Sequence, residues 1–144
     1  MPARSKARRR ALEVLFEADL REVDAAQVLD ERRADGDPPI PPYAVTLVEG
    51  VRAHRSEIDS IIAEHAVGWT LERMPVVDRN VLRLAVYELL WADDVPPGVV
   101  LAEAVKLARE LSTAESAPFV NGVLAAVRDT RAATGSPPLD APRD

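Results

Sequence analysis

Several residue types are absent or scarce in this 144-residue chain, and each absence excludes a class of site. The chain contains no cysteine, which excludes disulfides, thiolate metal centres, iron–sulfur clusters and cysteine nucleophiles. The six glycines are scattered singly along the sequence, so a glycine-rich phosphate-binding loop is also excluded. Aromatic residues make up only 4% of the chain, which leaves few rings for stacking on nucleic-acid bases.

Long uncharged stretches are missing as well. The uncharged run Pro38–Val48 is proline-rich and far shorter than the roughly 20 apolar residues that cross a bilayer. The N-terminus starts with basic residues, as a signal peptide does, but Glu13 and Glu17 interrupt the apolar region that would have to follow. We therefore expect a soluble, cytoplasmic protein that is not exported and does not enter a membrane.

Charge is distributed unevenly along the chain. The formal net charge is −6, yet residues 1–10 hold five basic and no acidic residues, and residues 11–144 hold 13 basic and 24 acidic residues, a net charge of −11. The basic residues of this N-terminal arm are Arg4, Lys6, Arg8, Arg9 and Arg10. Guanidinium groups bind phosphates in a bidentate manner, so the arm predicts a nucleic-acid partner. A solvated arm that only aids solubility and an acidic protein partner are the alternatives.

Helical periodicity covers almost the whole chain. Apolar residues recur at spacings of three and four, and breaks fall at the proline-rich segment 36–42, at Gly68, at residues 96–98 and at residues 112–118. The segment 77–92 is the most apolar, which is typical of a central helix packed on several sides. We predict an all-α domain of about six or seven helices over residues 7–133, preceded by the basic arm 1–10 and followed by a disordered tail, 135–144.

No constellation of catalytic or metal-binding residues is evident. His54 and His65 lie eleven residues apart, and the intervening sequence contains Ser56, which resembles a helix start. Ordinary surface or core histidines explain them better than a metal site. No serine lies in a nucleophile elbow. We therefore expect a protein without catalytic activity, metal or cofactor.

The last predicted helix carries two unusual features. Phe119 follows the break at residues 112–118, so we expect its ring to be partly exposed at the start of the helix, where it could stack on a base. Gly122 lies within an apolar helix, although glycine costs about 1 kcal/mol there relative to alanine. It predicts close approach by another helix or by a ligand, and helix packing is the ordinary explanation.

Four segments, in this order, resemble the NusB family of bacterial transcription antitermination factors. They are ARRRALEVLFEAD at 7–19, DRNVLRLAVYELL at 78–90, VPPGVVLAEAVKLAREL at 95–111 and, most specific, FVNGVL at 119–124. The resemblance implies an all-α fold of two roughly perpendicular helical bundles. It also implies a non-catalytic adapter that binds the boxA element of ribosomal RNA leader transcripts. The protein partner would be NusE, a small-subunit ribosomal protein, and other Nus factors and RNA polymerase would complete the antitermination complex.

The resemblance also assigns roles to individual positions. The RNA-binding residues would be Arg4, Lys6, Arg8, Arg9, Arg10, Arg79, Arg83, Glu115, Ser116 and Phe119. NusE would dock at Phe16, Glu72 and Asp78, where acidic groups would steer the encounter with a basic ribosomal protein. Pro118 departs from the family, which often has a basic residue there.

Two alternative functions stay open. One is an RNA-targeting module related to the N-terminal domain of ribosomal RNA cytosine methyltransferases. The other is a structural homo-oligomer, since some relatives form homodimers that cover the RNA surface.

Overall fold

The computed structural model describes residues 2–134, and the predicted tail 135–144 lies outside the described residues. Within residues 2–134 all regular elements are helical, which confirms the predicted fold class. The seven α-helices are α1 (Ala3–Arg21), α2 (Ala25–Asp35), α3 (Pro42–Ala53), α4 (Arg55–His65), α5 (Val76–Trp91), α6 (Pro97–Leu111) and α7 (Ser116–Thr134). A 3₁₀ turn, Leu71–Arg73, lies between α4 and α5.

The helix boundaries follow local signals in the sequence. The Asp24 carboxylate accepts a hydrogen bond of 2.9 Å from the Ala26 backbone N–H and so caps α2. Gly36 ends α2 in the left-handed conformation, with φ of 74°, which glycine adopts without steric cost. Helices α3 and α6 each begin with a proline, whose fixed φ suits the first helical turn.

Helix α5 lies at the centre of the fold, as its apolar sequence predicts. It contacts α1, α3, α4, α6 and α7, and Val81, Leu82, Val86 and Leu90 on it are buried. Helices α1, α2 and α3 pack together on one side, and α6 and α7 pack together on the other. Because α5 contacts both groups, it holds the side chains of both in one continuous core.

The basic arm is the beginning of α1 rather than a separate extension. The helix starts at Ala3, and Ala7 and Ala11 on its inner face are buried. The first turns of α1 are therefore anchored by core packing, and their outward side chains are presented from a rigid element. Lys6 is one of these exposed side chains.

The glycine that permits close helix packing is Gly50, not Gly122. Gly122 is exposed, and a Cβ added there would meet nothing within 4 Å among the described residues. The expected packing of another helix at this position is therefore not found. A Cβ on Gly50 of α3 would instead overlap the Tyr87 ring of α5, so the small residue is required where α3 meets the central helix.

Candidate nucleic-acid interface

Two basic side chains of the arm form ion pairs on the protein surface. Arg4 Nη2 lies 2.8 Å from Asp94 Oδ2, and Arg9 Nη1 lies 3.0 Å from Glu110 Oε1. All four side chains are more than one third exposed. Such pairs contribute about 0–1 kcal/mol in water. Phosphate groups can therefore compete with these carboxylates for the two arginines.

The remaining surface cations of the arm are held differently. Lys6 is exposed and has no ion pair among residues 2–134. Arg10 donates to Glu13 Oε1 at 2.8 Å and to the Pro38 carbonyl at 3.1 Å, so it connects α1 to the proline-rich linker. The Arg4 guanidinium also lies over the Tyr43 ring, 4.3 Å from its centroid, an attractive cation–π contact.

Arg8 lies inside the protein and not on this surface. Arg8 is 4% exposed, and its Nε and Nη2 donate to the two carboxylate oxygens of Glu88 at 2.8 and 3.0 Å. Glu103 lies 3.4 Å from Nη1. The phosphate-binding role expected for Arg8 conflicts with this placement, because its donors are occupied and excluded from solvent. We therefore leave Arg8 out of the candidate interface.

Arg79 and Arg83 are also occupied by internal carboxylates. Arg79 donates from Nε and Nη2 to Asp19 at 2.7 Å, and Arg83 donates from Nε to Asp59 at 2.9 Å. Arg83 is buried, and its Nη1 reaches Asp19 at 3.1 Å. These two arginines join α1, α4 and α5 instead of facing solvent, so the secondary RNA contacts expected of them do not fit their placement.

This arrangement shifts the acid–base equilibrium of Asp19. Burial of the carboxyl disfavours its ionised form, but hydrogen bonds from Arg79 and Asn80 and the positive charges of Arg79 and Arg83 outweigh that effect. The pKa of Asp19 is lowered from 3.8 to about 2. The carboxylate therefore stays charged in the folded protein at a pH where an unfolded chain would already be protonated.

Acid stability is expected to depend on this carboxylate. Because its folded pKa is lowered, ionised Asp19 stabilises the fold above about pH 4, and the contribution is lost as pH falls towards 2. The shift corresponds to about 2 kcal/mol. Urea unfolding of wild type and Asp19→Asn should therefore show a difference in unfolding free energy that shrinks by about 2 kcal/mol between pH 6 and pH 2. A difference that stays constant over this range would contradict the assignment.

Asp78 and Ser116 form a buried hydrogen-bonded cluster. Asp78 is 3% exposed, and it accepts hydrogen bonds from Ser112 Oγ at 2.6 Å and Ser116 Oγ at 2.7 Å. The cluster fixes the start of α7 against the first turn of α5. Neither the NusE contact expected of Asp78 nor the RNA contact expected of Ser116 fits this burial, and both residues hold neighbouring surface residues in position.

An aromatic cleft lies beside this cluster. The Phe119 ring is half-buried, as its sequence position predicts, and it meets the Trp69 ring edge-on, with 6.2 Å between centroids. The cleft has a volume of about 260 Å³ and is lined by Trp69, Met74, Pro75, Asp78, Thr113, Glu115, Ser116 and Phe119. Sequence reasoning missed Trp69, although a tryptophan placed directly after the helix break at Gly68 was a detectable signal.

The positions expected to contact a protein partner lie on two elements that Arg79 joins. Phe16 is half-buried on α1, and Glu72 is exposed in the 3₁₀ turn. Arg79 donates to Asp19, three residues after Phe16, and to the Leu71 carbonyl, one residue before Glu72. Leu20 on the same part of α1 is 57% exposed. An apolar and acidic surface therefore surrounds this junction.

Two kinds of site are absent from the part of the chain that the structure describes. Within residues 2–134, no group of three or more His, Cys, Asp or Glu side chains could hold a metal ion. Over the same residues, no helix is long and apolar enough to cross a membrane.

The described residues form an all-α scaffold with an exposed cationic helix end and an aromatic cleft. These features place the protein in the class of helical domains whose surface suits a nucleic acid. The chain belongs to the NusB family, because the protein-family model described as "NusB family" matches residues 5–129. This confirms the resemblance carried by the four sequence segments.

Curated relatives match along nearly the whole chain. A protein of Acidothermus cellulolyticus named "Transcription antitermination protein NusB" is 68% identical over 145 aligned residues, which cover 100% of both chains. A protein of Thermobifida fusca with the same name is 53% identical and covers 90% of this chain and 91% of its own.

Solved structures share the fold. T. maritima NusB is 35% identical, with a TM-score of 0.76, and the alignment covers 90% of this chain and 92% of that one. A structure described as "Crystal Structure of Antitermination Factors NusB and NusE in complex with dsRNA" is 34% identical, with a TM-score of 0.78, and covers 88% of this chain and 96% of that one. The latter contains both a protein and an RNA partner of that relative.

Proposed function

We propose that this chain is a transcription antitermination factor that binds boxA RNA of ribosomal RNA leader transcripts together with NusE. The observation that carries the proposal is the full-length match to proteins named for transcription antitermination. The chain acts as an adapter without catalytic turnover, and other Nus factors and RNA polymerase join through the assembled complex. It works in the cytoplasm, where nascent transcripts are made.

The surface proposed to contact RNA contains fewer residues than the sequence alone suggested. Arg4, Lys6 and Arg9 present cations from the first turns of α1, with Arg10 at their inner edge. Glu115 and Phe119 extend the face along the cleft at the start of α7. Phosphate contacts from the arm supply affinity, and contacts with bases supply sequence preference.

The surface proposed to contact NusE comprises Phe16 and Glu72. They lie on the two elements joined by Arg79, near the exposed Leu20. A half-buried aromatic ring with acidic neighbours suits a basic ribosomal protein, because the ring supplies buried apolar area and the rim charge accelerates encounter. The acidic excess of the body, −11 over residues 11–144, favours the same partner.

The test is a binding titration of a fluorescent boxA RNA and a scrambled RNA of equal length, each with and without purified NusE. We expect weak binding of both RNAs by the chain alone, and tighter binding of boxA when NusE is present. Equal affinity for the two RNAs in the presence of NusE would overturn the proposal. A stable homo-oligomer that binds neither partner at any salt concentration would favour the structural alternative, and methyl transfer by the chain would favour the enzyme-related one.

A further inference from the structure

We infer that Trp69 and Phe119 form a binding cleft for one unpaired RNA base. The ligand class is a nucleobase of single-stranded RNA, and the inference rests on the proposed RNA-binding function. It adds Trp69, which the sequence segments shared with the family did not single out, and it gives the cleft a specific occupant.

The exposure of Trp69 is unusual for so large an apolar side chain. Trp69 is 50% exposed and lies in a short segment between α4 and the 3₁₀ turn, where its backbone N–H donates to the Ala66 carbonyl at 3.0 Å. Gly68, with φ of 83°, makes the turn that directs the chain out of α4. The backbone that carries the exposed indole is thus fixed by a defined turn, and the ring itself contacts Phe119.

The arrangement of the two rings leaves room for a third ring. Their planes are inclined by 62° and their centroids lie 6.2 Å apart. In such an edge-on pair, neither ring covers the other by parallel stacking, so a flat face stays available to a base. The cleft volume of about 260 Å³ is just below the range of about 300–1,000 Å³ typical of small-molecule sites. This size fits one base and excludes a helix.

The cleft begins a short distance along the chain from the residue that pairs with Arg9 at the cationic end of α1. Arg9 is anchored to Glu110 near the end of α6, and Thr113, three residues further along the chain, lines the cleft. Three residues span at most about 10 Å. One strand of RNA can therefore place phosphates on the arm and a base in the cleft.

Charge at the cleft favours a base over a phosphate. Glu115 is exposed at the rim, and its carboxylate repels phosphate but accepts hydrogen bonds from the amino groups of a base. The bonds of Ser112 and Ser116 to Asp78 hold the segment that carries Glu115. The cleft is therefore largely preformed, which lowers the entropic cost of binding.

The experiment uses the full chain with NusE and the boxA RNA. The chain has two tryptophans, and Trp91 is buried, so Trp91→Phe leaves Trp69 as the only tryptophan of the chain, which excitation at a wavelength selective for indole reports. We expect RNA to quench Trp69 fluorescence in this variant. We also expect Trp69→Ala to weaken RNA binding roughly 5- to 100-fold with an unchanged salt dependence, because stacking releases no counterions.

Two variants control for general damage. Trp69→Phe keeps an aromatic face and should lose less affinity than Trp69→Ala. Val67→Ala alters an apolar side chain of the same segment that is 90% exposed, and it should leave RNA affinity unchanged. Circular dichroism and thermal melting check that each variant is folded.

Two outcomes would overturn the inference. One is wild-type RNA affinity of Trp69→Ala, and the other is unchanged Trp69 fluorescence on RNA binding. If Trp69→Ala keeps wild-type RNA affinity but binds NusE alone more weakly, the cleft belongs to the protein partner instead. If boxA binding still requires the arm in these cases, the proposed function stands and only the cleft assignment fails.

Discussion

Replacing Glu88 by alanine is expected to lower the free energy of unfolding by about 3–5 kcal/mol. Glu88 is 2% exposed and accepts hydrogen bonds from Arg8 Nε and Nη2 and from Tyr43 Oη, the last at 2.6 Å. Its removal leaves the buried Arg8 guanidinium with one ion pair, to Glu103 at 3.4 Å, and a cation–π contact with the Tyr43 ring at 6.0 Å. Because a domain of this size is stabilised by about 5–15 kcal/mol in total, urea unfolding will register the loss clearly.

Two comparisons isolate the buried charge as the cause. Glu103→Ala removes a carboxylate that touches Arg8 and accepts a hydrogen bond of 2.7 Å from Ser5 Oγ but is 22% exposed, and we expect it to cost about 1–2 kcal/mol. The double variant Arg8→Met/Glu88→Met removes both charges and should recover much of the loss. An unfolding free energy of Glu88→Ala within 1 kcal/mol of wild type would show that the ion pair is not the structural bond we describe.

Tyr43 supplies a second readout of the same network. Burial and the neighbouring Glu88 carboxylate raise the pKa of the Tyr43 hydroxyl well above its usual range. The Glu88→Ala variant removes the carboxylate but not the burial, so the pKa should fall towards its ordinary value. Ultraviolet difference spectra at alkaline pH measure this change.

Replacing Arg4, Lys6 and Arg9 together by alanine is expected to weaken RNA binding roughly 10- to 100-fold near 0.1 M salt. Each phosphate neutralised on a single strand contributes about 0.7 to the slope of log K against log salt concentration. The slope should therefore become shallower by about 2 if all three cations contact phosphates. Anisotropy titrations of boxA RNA with NusE, at several salt concentrations, measure both quantities.

A matched variant separates local contacts from net charge. Arg33, Arg55 and Arg128 lie on α2, α4 and the later part of α7, and replacing them by alanine removes the same total charge. This control should retain the wild-type salt slope. Glu110→Gln should act in the opposite direction to the arm variant and tighten binding, because it releases Arg9 from its ion pair. Equal slopes for the arm variant and the wild type would exclude the arm from the RNA interface.

The fold was largely predictable because its determinants are local. The spacing of apolar residues, the Asp24 cap and the prolines before α3 and α6 act within a few positions of the chain. The arm was predictable as a cluster of charge for the same reason. The partners of that cluster were not, because Arg8 meets Glu88 across 80 positions of sequence. A local pattern cannot distinguish a buried arginine from an exposed one at such a separation.

The aromatic residues of the candidate site and two glycines of the fold show the same limit of local sequence patterns. The exposure of Phe119 followed from its place after a helix break, but its neighbour Trp69 is 50 positions away in the sequence. Gly122 drew attention because it lies inside a helix pattern, whereas the steric requirement falls on Gly50, where the Tyr87 ring approaches from α5. Which helices touch is decided by tertiary packing, and single-helix patterns do not contain that information.

The uninterrupted run of α1 from Ala3 to Arg21 has a thermodynamic consequence for association. A basic segment that folds only when it meets its partner loses the conformational entropy of every residue it orders, about 1–2 kcal/mol each. In this protein that loss has already occurred during folding, because the cations are carried by a packed helix. Arg4 and Arg9 are separated by five residues, a rise of about 7.5 Å along the helix axis. The helix therefore presents its cationic residues at a fixed spacing before the ligand binds. Calorimetry should accordingly record only the small negative heat-capacity change that accompanies the covering of a rigid surface.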